Sequence, residues 1–156
     1  KSSSPRVNDI LMKKFQKENI LDRIEIKQHI KKFEDHINLY KEIDLALDTF
    51  PYNGVTTTFE AIWKGVPVLT IEGYNFNSRC GSSIIKNLGI NYLVAKNEDD
   101  YISKAIYLSN NLDYLSEIRD NVFNDALNSP LFDTEKFGND FENKINFIIK
   151  KELENN

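Results

Sequence analysis

From residue 43 to residue 95 the chain alternates compact apolar runs with stretches of helical period. IDLAL (43–47), VPVLTI (66–71) and YLVA (92–95) have the length and composition of buried parallel strands. RIEIK (23–27) alternates apolar and polar residues, the pattern of a half-exposed strand. Between them, helical spacing predicts helices over 30–43, with Ile30, Phe33, Ile37 and Tyr40 on one face, over 57–64, and over 78–89. Gly65 and Gly89 follow the last two as stop signals. A first helix is expected over 7–19, with Val7, Ile10, Leu11 and Phe15 on one face. After residue 98 the pattern is helical throughout: 98–111, 112–127, and a tail from Asp133 to about Leu153 whose Phe137, Phe141, Ile145 and Ile148 read as core positions, or as a face that crosses to cover another half and is left partly exposed in this chain. Four short strands separated by helices require right-handed crossovers, hence an α/β fold with a parallel, doubly wound sheet, flanking helices and a helical tail.

Composition narrows the class. With 156 residues, 40% hydrophobic and 28% charged, the chain suits one globular domain over 1–156. No apolar run reaches the roughly 20 residues of a membrane span, and KSSSPRVND lacks the apolar core of a signal peptide. The single cysteine, Cys80, agrees with a reducing, cytoplasmic setting. A net charge of −4 with dispersed Lys and Arg argues against a nucleic-acid partner, yet leaves room for a small phosphorylated ligand. KSSSPRVND resembles a loop that follows a strand, so the chain is expected to be cut from something longer.

One stretch carries candidate chemistry: DTFPYNGVTTTFEAIWKG, residues 48–65. Asp48 ends a strand, Gly54 gives the backbone freedom, and Thr56 to Thr58 open a helix. Ligands of open parallel sheets sit beyond the carboxyl ends of the strands, and a helix N-terminus there favours an anion. Two hydroxyls and two amides could hold a diphosphate, and Glu60 in the first turn could take ribose hydroxyls. A simpler account competes on equal terms. Thr57-x-x-Glu60 fits a capping box that needs no ligand. Neither P-loop nor dinucleotide-fingerprint spacing is present.

LALDTFPYNGVTTTFEAIWKGVPVLTIEGYNFNSRCGSSIIKNLG (45–89) resembles the C-terminal half of the family 41 glycosyltransferases, the protein O-GlcNAc transferases and their bacterial relatives. The resemblance runs from about Arg23 to about Phe147, through Asp100-Tyr101, Leu112 to Leu115, Arg119 and SPLFD (129–133). It implies a Rossmann-like half of a GT-B enzyme that holds a UDP-sugar, most readily UDP-GlcNAc, for transfer to Ser or Thr of a protein. A related reading is Asn glucosylation from UDP-glucose. A different class is a non-catalytic phosphate-binding or interaction module.

Carried over by position, Thr56 and Thr57 match threonines that bind and stabilise the leaving diphosphate, and Glu60 matches a ribose ligand. His36, thirteen residues before Thr49, matches the histidine that packs on uracil. Tyr52, Asn53, Gly54 and Val55 complete the donor loop, with Arg79 as a possible rim residue. Val55 replaces a histidine of the animal enzymes, Phe33 a ribose-contacting lysine, and Tyr52 a cysteine near the sugar. The first removes a phosphate donor; the last puts the sugar's identity in question. No cofactor or metal is implied, since His29 and His36 lack a third ligand. The protein acceptor is expected to dock through an N-terminal half, without which the fragment would be inactive.

Overall fold

The computed structural model describes residues 4–27 and 30–154. The Cα framework separates into two compact units, residues 1–39 and 40–156.

The first unit holds helix α1 (Pro5–Lys17), a 3-10 turn (Leu21–Arg23) and helix α2 (Phe33–Asn38). Proline at the first helical position starts α1, where its missing N–H costs nothing. The strand expected over 23–27 is absent: Arg23 closes the 3-10 turn and residues 24–27 are irregular. Alternation alone cannot make a strand without a neighbour to pair with. The helix expected over 30–43 is also shorter. It tightens into a 3-10 turn at Leu39–Glu42, so the spacing of Phe33 and Ile37 no longer defines one buried face, and Phe33 is exposed. His29 lies outside the described residues.

The second unit carries the sheet. Strands β1 (Ala46–Leu47), β2 (Val68–Ile71) and β3 (Val94–Ala95) are parallel in the order β1-β2-β3. Ala46 pairs with Val68, and Thr70 with Val94. All four β2 residues are buried, so both faces of the central strand are covered, which is why its sequence reads as unbroken apolar character. Each strand is shorter than its apolar run; Asn91–Leu93 form a 3-10 turn that brings the chain into β3.

Helices α3 (Thr56–Trp63) and α4 (Cys80–Asn87) connect the strands and pack on β2 and on each other. Gly65 at φ 70° ends α3: its N–H bonds Ile62 O at 2.9 Å while Val66 N–H bonds Ala61 O at 2.8 Å. That pair of bonds is the glycine-terminated closure the sequence predicts. Helix α5 (Glu98–Asn110), capped by the Asn97 side chain on the Asp100 N–H, packs on β2 and β3. Helix α6 (Leu112–Leu127) packs on α3 and α5, burying Leu115, Ile118, Val122 and Ala126. The core centres on Ile62, Leu69, Ile85, Leu93 and Val122. Trp63 stays half-exposed but stands edge-on to Phe123 at 5.2 Å and lies near Phe132 at 5.5 Å.

Helix α7 (Thr134–Glu154) departs from the core reading of its stripe. None of its residues is buried, and Phe137, Phe141, Ile145 and Ile148 are exposed. The periodicity correctly gave a helix with an apolar stripe; the stripe does not enter this unit's core.

Candidate functional site

The loop from Asp48 to Val55 leaves the carboxyl end of β1 and delivers the chain to α3. Asp48 organises it. One carboxylate oxygen, Oδ1, accepts from the Thr49 N–H at 2.9 Å and the Gly54 N–H at 2.8 Å. The other, Oδ2, accepts from Thr70 Oγ1 of β2 at 2.7 Å. Burial raises the Asp48 pKa above the usual carboxylate value, and these three donors hold it back. Tyr101 of α5 donates to the Asp48 carbonyl at 2.9 Å, and burial followed by the Asp48 charge pushes its phenol up to about 12.

Asn53 is the loop's internal strut. It is 1% exposed; its Nδ2 donates to Thr49 O at 2.8 Å, its N–H to Asn77 O at 3.0 Å, and its Oδ1 accepts from the Gly81 N–H at 3.4 Å. Tyr52 projects outward at 69% exposure. The Phe50–Pro51 peptide is cis. Gly54 has no room for a side chain: a Cβ would lie 2.3 Å from Thr57 Oγ1.

Val55, not a threonine, is the N-cap of α3, and no side chain caps the helix. The capping box is therefore not formed. Among the described residues, no acceptor meets the amide N–H of Thr56, Thr57 or Thr58, and the first helical bond runs from the Phe59 N–H to Val55 O at 3.0 Å. Thr58 is buried and donates to Gly54 O at 2.9 Å, whereas Thr56 and Thr57 are exposed. A cleft of about 160 Å³ opens beside Thr57, lined also by Tyr40, Asp48, Thr49 and Gly54.

Glu60 is half-buried one turn along. Instead of reaching back to the helix start, its Oε2 accepts from Tyr40 Oη at 3.0 Å; the same hydroxyl lies 3.3 Å from Thr57 O. Burial, then the Glu60 hydrogen bond and charge, drive the Tyr40 pKa well upward. Tyr40 thus fixes both the carboxylate and the first turn, a role its apolar spacing did not disclose. His36 lies on α2 in the other unit.

On the opposite flank of Val55 a larger cleft of about 620 Å³ is bounded by Phe59, Tyr74, Phe76, Arg79 and α4. Arg79 precedes α4 and pairs with Glu72 at 3.4 Å, the helix-start ion pair its position suggests. Lys86 binds the same carboxylate and, with Arg79, holds Glu72 below its ordinary pKa. Asn75 and Ser78 close the turn between them: the Ser78 N–H donates to Asn75 Oδ1 at 3.0 Å. Cys80 donates to Phe76 O at 3.2 Å. Among the described residues no cluster of three or more His, Cys, Asp or Glu could hold a metal.

A helix whose first three amides meet no acceptor among the described residues, placed at the carboxyl end of a parallel sheet, belongs to a Rossmann-like α/β arrangement. A sequence model described as glycosyl transferase family 41 matches residues 5–141. This chain belongs to that family, and its fold is that of the C-terminal half of a GT-B glycosyltransferase with a helical tail. It is 42% identical over 108 residues to a protein of Eustoma exaltatum named "Probable UDP-N-acetylglucosamine--peptide N-acetylglucosaminyltransferase SPINDLY", matching 69% of this chain and 12% of that protein. A Caenorhabditis elegans UDP-N-acetylglucosamine–peptide N-acetylglucosaminyltransferase is 32% identical over 76% of this chain and 10% of its own length. A solved mutant of the Thermobaculum terrenum O-GlcNAc transferase superposes with a TM-score of 0.82 at 31% identity, covering 91% of this chain and 27% of that one. The chain therefore spans about an eighth of the first relatives' length.

Proposed function

We propose that this chain, residues 1–156, is the donor-binding half of a protein glycosyltransferase that moves GlcNAc from UDP-GlcNAc to Ser or Thr of proteins. The observation that carries the reading is the open start of α3, where among the described residues no acceptor meets the Thr56, Thr57 and Thr58 amides and the exposed Thr57 lines a cleft. The names of the relatives supply the donor and the acceptor class.

In such a transfer the acceptor oxygen attacks the anomeric carbon and the bond from that carbon to the β-phosphate oxygen breaks. Negative charge then builds on the departing diphosphate. Fixed N–H dipoles, the positive helix end and the Thr56 and Thr57 hydroxyls stabilise that charge as it forms. In this reading Glu60, held by Tyr40, takes the ribose, and the assignment of uracil to His36 rests on sequence position alone. By the same reading Tyr52 edges the sugar, Val55 stands beside the diphosphate without donating to it, Asn53 and Gly54 shape the loop, and Arg79 belongs to the rim. The groups that receive the acceptor's proton and dock the protein belong to the rest of the enzyme. A cytoplasmic setting rests on the lone Cys80.

The test is titration of the full-length protein with UDP and UDP-GlcNAc by calorimetry and thermal melting. UDP should release heat and raise the melting temperature, and UDP-GlcNAc should compete better than UDP-glucose. Absence of both signals at millimolar UDP overturns the proposal.

A further inference from the structure

We infer that Asp48 is the positioning residue of the donor site, setting the diphosphate cradle through Gly54 without touching the ligand's phosphates; this rests on the donor-binding reading above. Asp48 joins three parts of the second unit, two through its carboxylate and one through its backbone. Oδ1 holds the Gly54 N–H, Oδ2 holds Thr70 on β2, and the backbone carbonyl holds Tyr101 on α5. Gly54 then transmits the restraint. Its carbonyl accepts from Thr58 Oγ1 at 2.9 Å, and Thr57 Oγ1 packs so closely on its backbone that an added Cβ would lie 2.3 Å away. The side chains of the first turn of α3 are thus set by a backbone unit that Asp48 fixes.

The fit around the carboxylate is equally tight on its far side. A Cβ at Gly81, in the first turn of α4, would lie 2.3 Å from Asp48 Oδ2 and 2.5 Å from Thr70 Oγ1. The sheet end, the loop and the start of α4 therefore meet at one carboxylate. A negative group beside an anion site opposes the ligand by simple Coulomb repulsion. Its value here is geometric: with one oxygen on two N–H donors and the other on a hydroxyl, it fixes the loop from both sides. An asparagine keeps most of that geometry, because its amide oxygen can accept from Gly54 and Thr49 while its NH₂ donates to Thr70.

The experiment compares UDP with uridine on the full-length protein by ligand-observed NMR and calorimetry. Uridine reports the nucleoside contacts alone, so a general loss of structure weakens both ligands together. Asp48→Ala should weaken UDP by about tenfold or more, the scale of one hydrogen bond to a charged group, and uridine by less than about threefold. Asp48→Asn should stay within about threefold of the wild type for both, because the Gly54 bond survives. Should Asp48→Ala fail to fold, Thr70→Val, which releases only Oδ2, carries the same comparison. Selective loss of UDP affinity supports the assignment. Equal losses for UDP and uridine, or none, overturn it while leaving the donor reading intact. A wild-type protein that does not bind UDP overturns the donor reading and this assignment with it.

Discussion

Replacing Gly81 with alanine adds one methyl group where the structure has no space for it. The new carbon would lie 2.3 Å from Asp48 Oδ2, 2.5 Å from Thr70 Oγ1 and 3.2 Å from Thr70 Cβ. Neither neighbour is the free end of a long side chain. Thr70 is a fully buried β2 residue, and the Asp48 carboxylate is held by two backbone N–H groups. Overpacking at such a site costs about 1–3 kcal/mol. Forcing Thr70 away from Oδ2 loses a charge-assisted hydrogen bond of about 1.5–3 kcal/mol. Alanine returns up to about 1 kcal/mol of helix propensity in α4. The net expectation is a loss of about 2–4 kcal/mol, or a melting temperature lower by roughly 5–15 °C. Trp63, the only tryptophan of the chain, packs against Phe123 and Phe132, so its fluorescence follows urea unfolding of this unit. The control is Gly138→Ala on α7, where a Cβ meets nothing within 4 Å; it should gain about 0.5–1 kcal/mol. If the two substitutions behave alike, the tight seat of the Asp48 carboxylate is refuted.

Thr57→Val should weaken UDP by about tenfold while changing stability by less than about 0.5 kcal/mol, because Thr57 is exposed and caps nothing; matched losses in titration and urea denaturation would count against a ligand role. Tyr40→Phe should cost about 1–2 kcal/mol in the same denaturation assay, since it removes the donor that holds the half-buried Glu60. Tyr40, Tyr92 and Tyr101 all have raised pKa values, so the folded state keeps protons that the unfolded chain gives up near pH 10. Their stabilisation is complete below about pH 10 and declines as pH rises toward the folded values; Tyr101→Phe should flatten part of that decline in denaturation series from pH 9 to 11. Arg79→Met should move stability by less than about 0.5 kcal/mol by thermal melting, because its ion pair with Glu72 is solvent-exposed.

The parts of the fold legible in the sequence were those set by local rules. Gly65 and Gly89 marked helix ends because each adopts a positive φ there, and β2 announced itself because a strand covered on both faces is apolar throughout. Helices α5 and α6 fell within a residue of their periodic stretches. Failures came where partners decide. Residues 23–27 alternate but form no strand ladder among the described residues, and α7 has an apolar stripe that this unit does not bury. At the site, the threonine-rich helix start and Glu60 were visible as residue types. The choice between a sealed helix and an open one was not, because it depends on whether Val55 or Thr57 takes the N-cap position. Tyr40 was read as core from its spacing, and burial confirms that much. Its hydroxyl's hold on Glu60, twenty residues away, has no signature in the local pattern.

Val55 at the head of α3 leaves that helix less stable than its sequence neighbourhood would permit. Serine or aspartate in its place would supply the side-chain acceptor the helix start lacks, for a gain of about 1 kcal/mol. On the donor-binding proposal the same substituent would occupy the amides offered to a phosphate, and an aspartate would add a repelling charge. A program of thermostabilisation guided by helix rules alone would therefore choose this position early and, on the donor-binding proposal, lose UDP affinity by doing so.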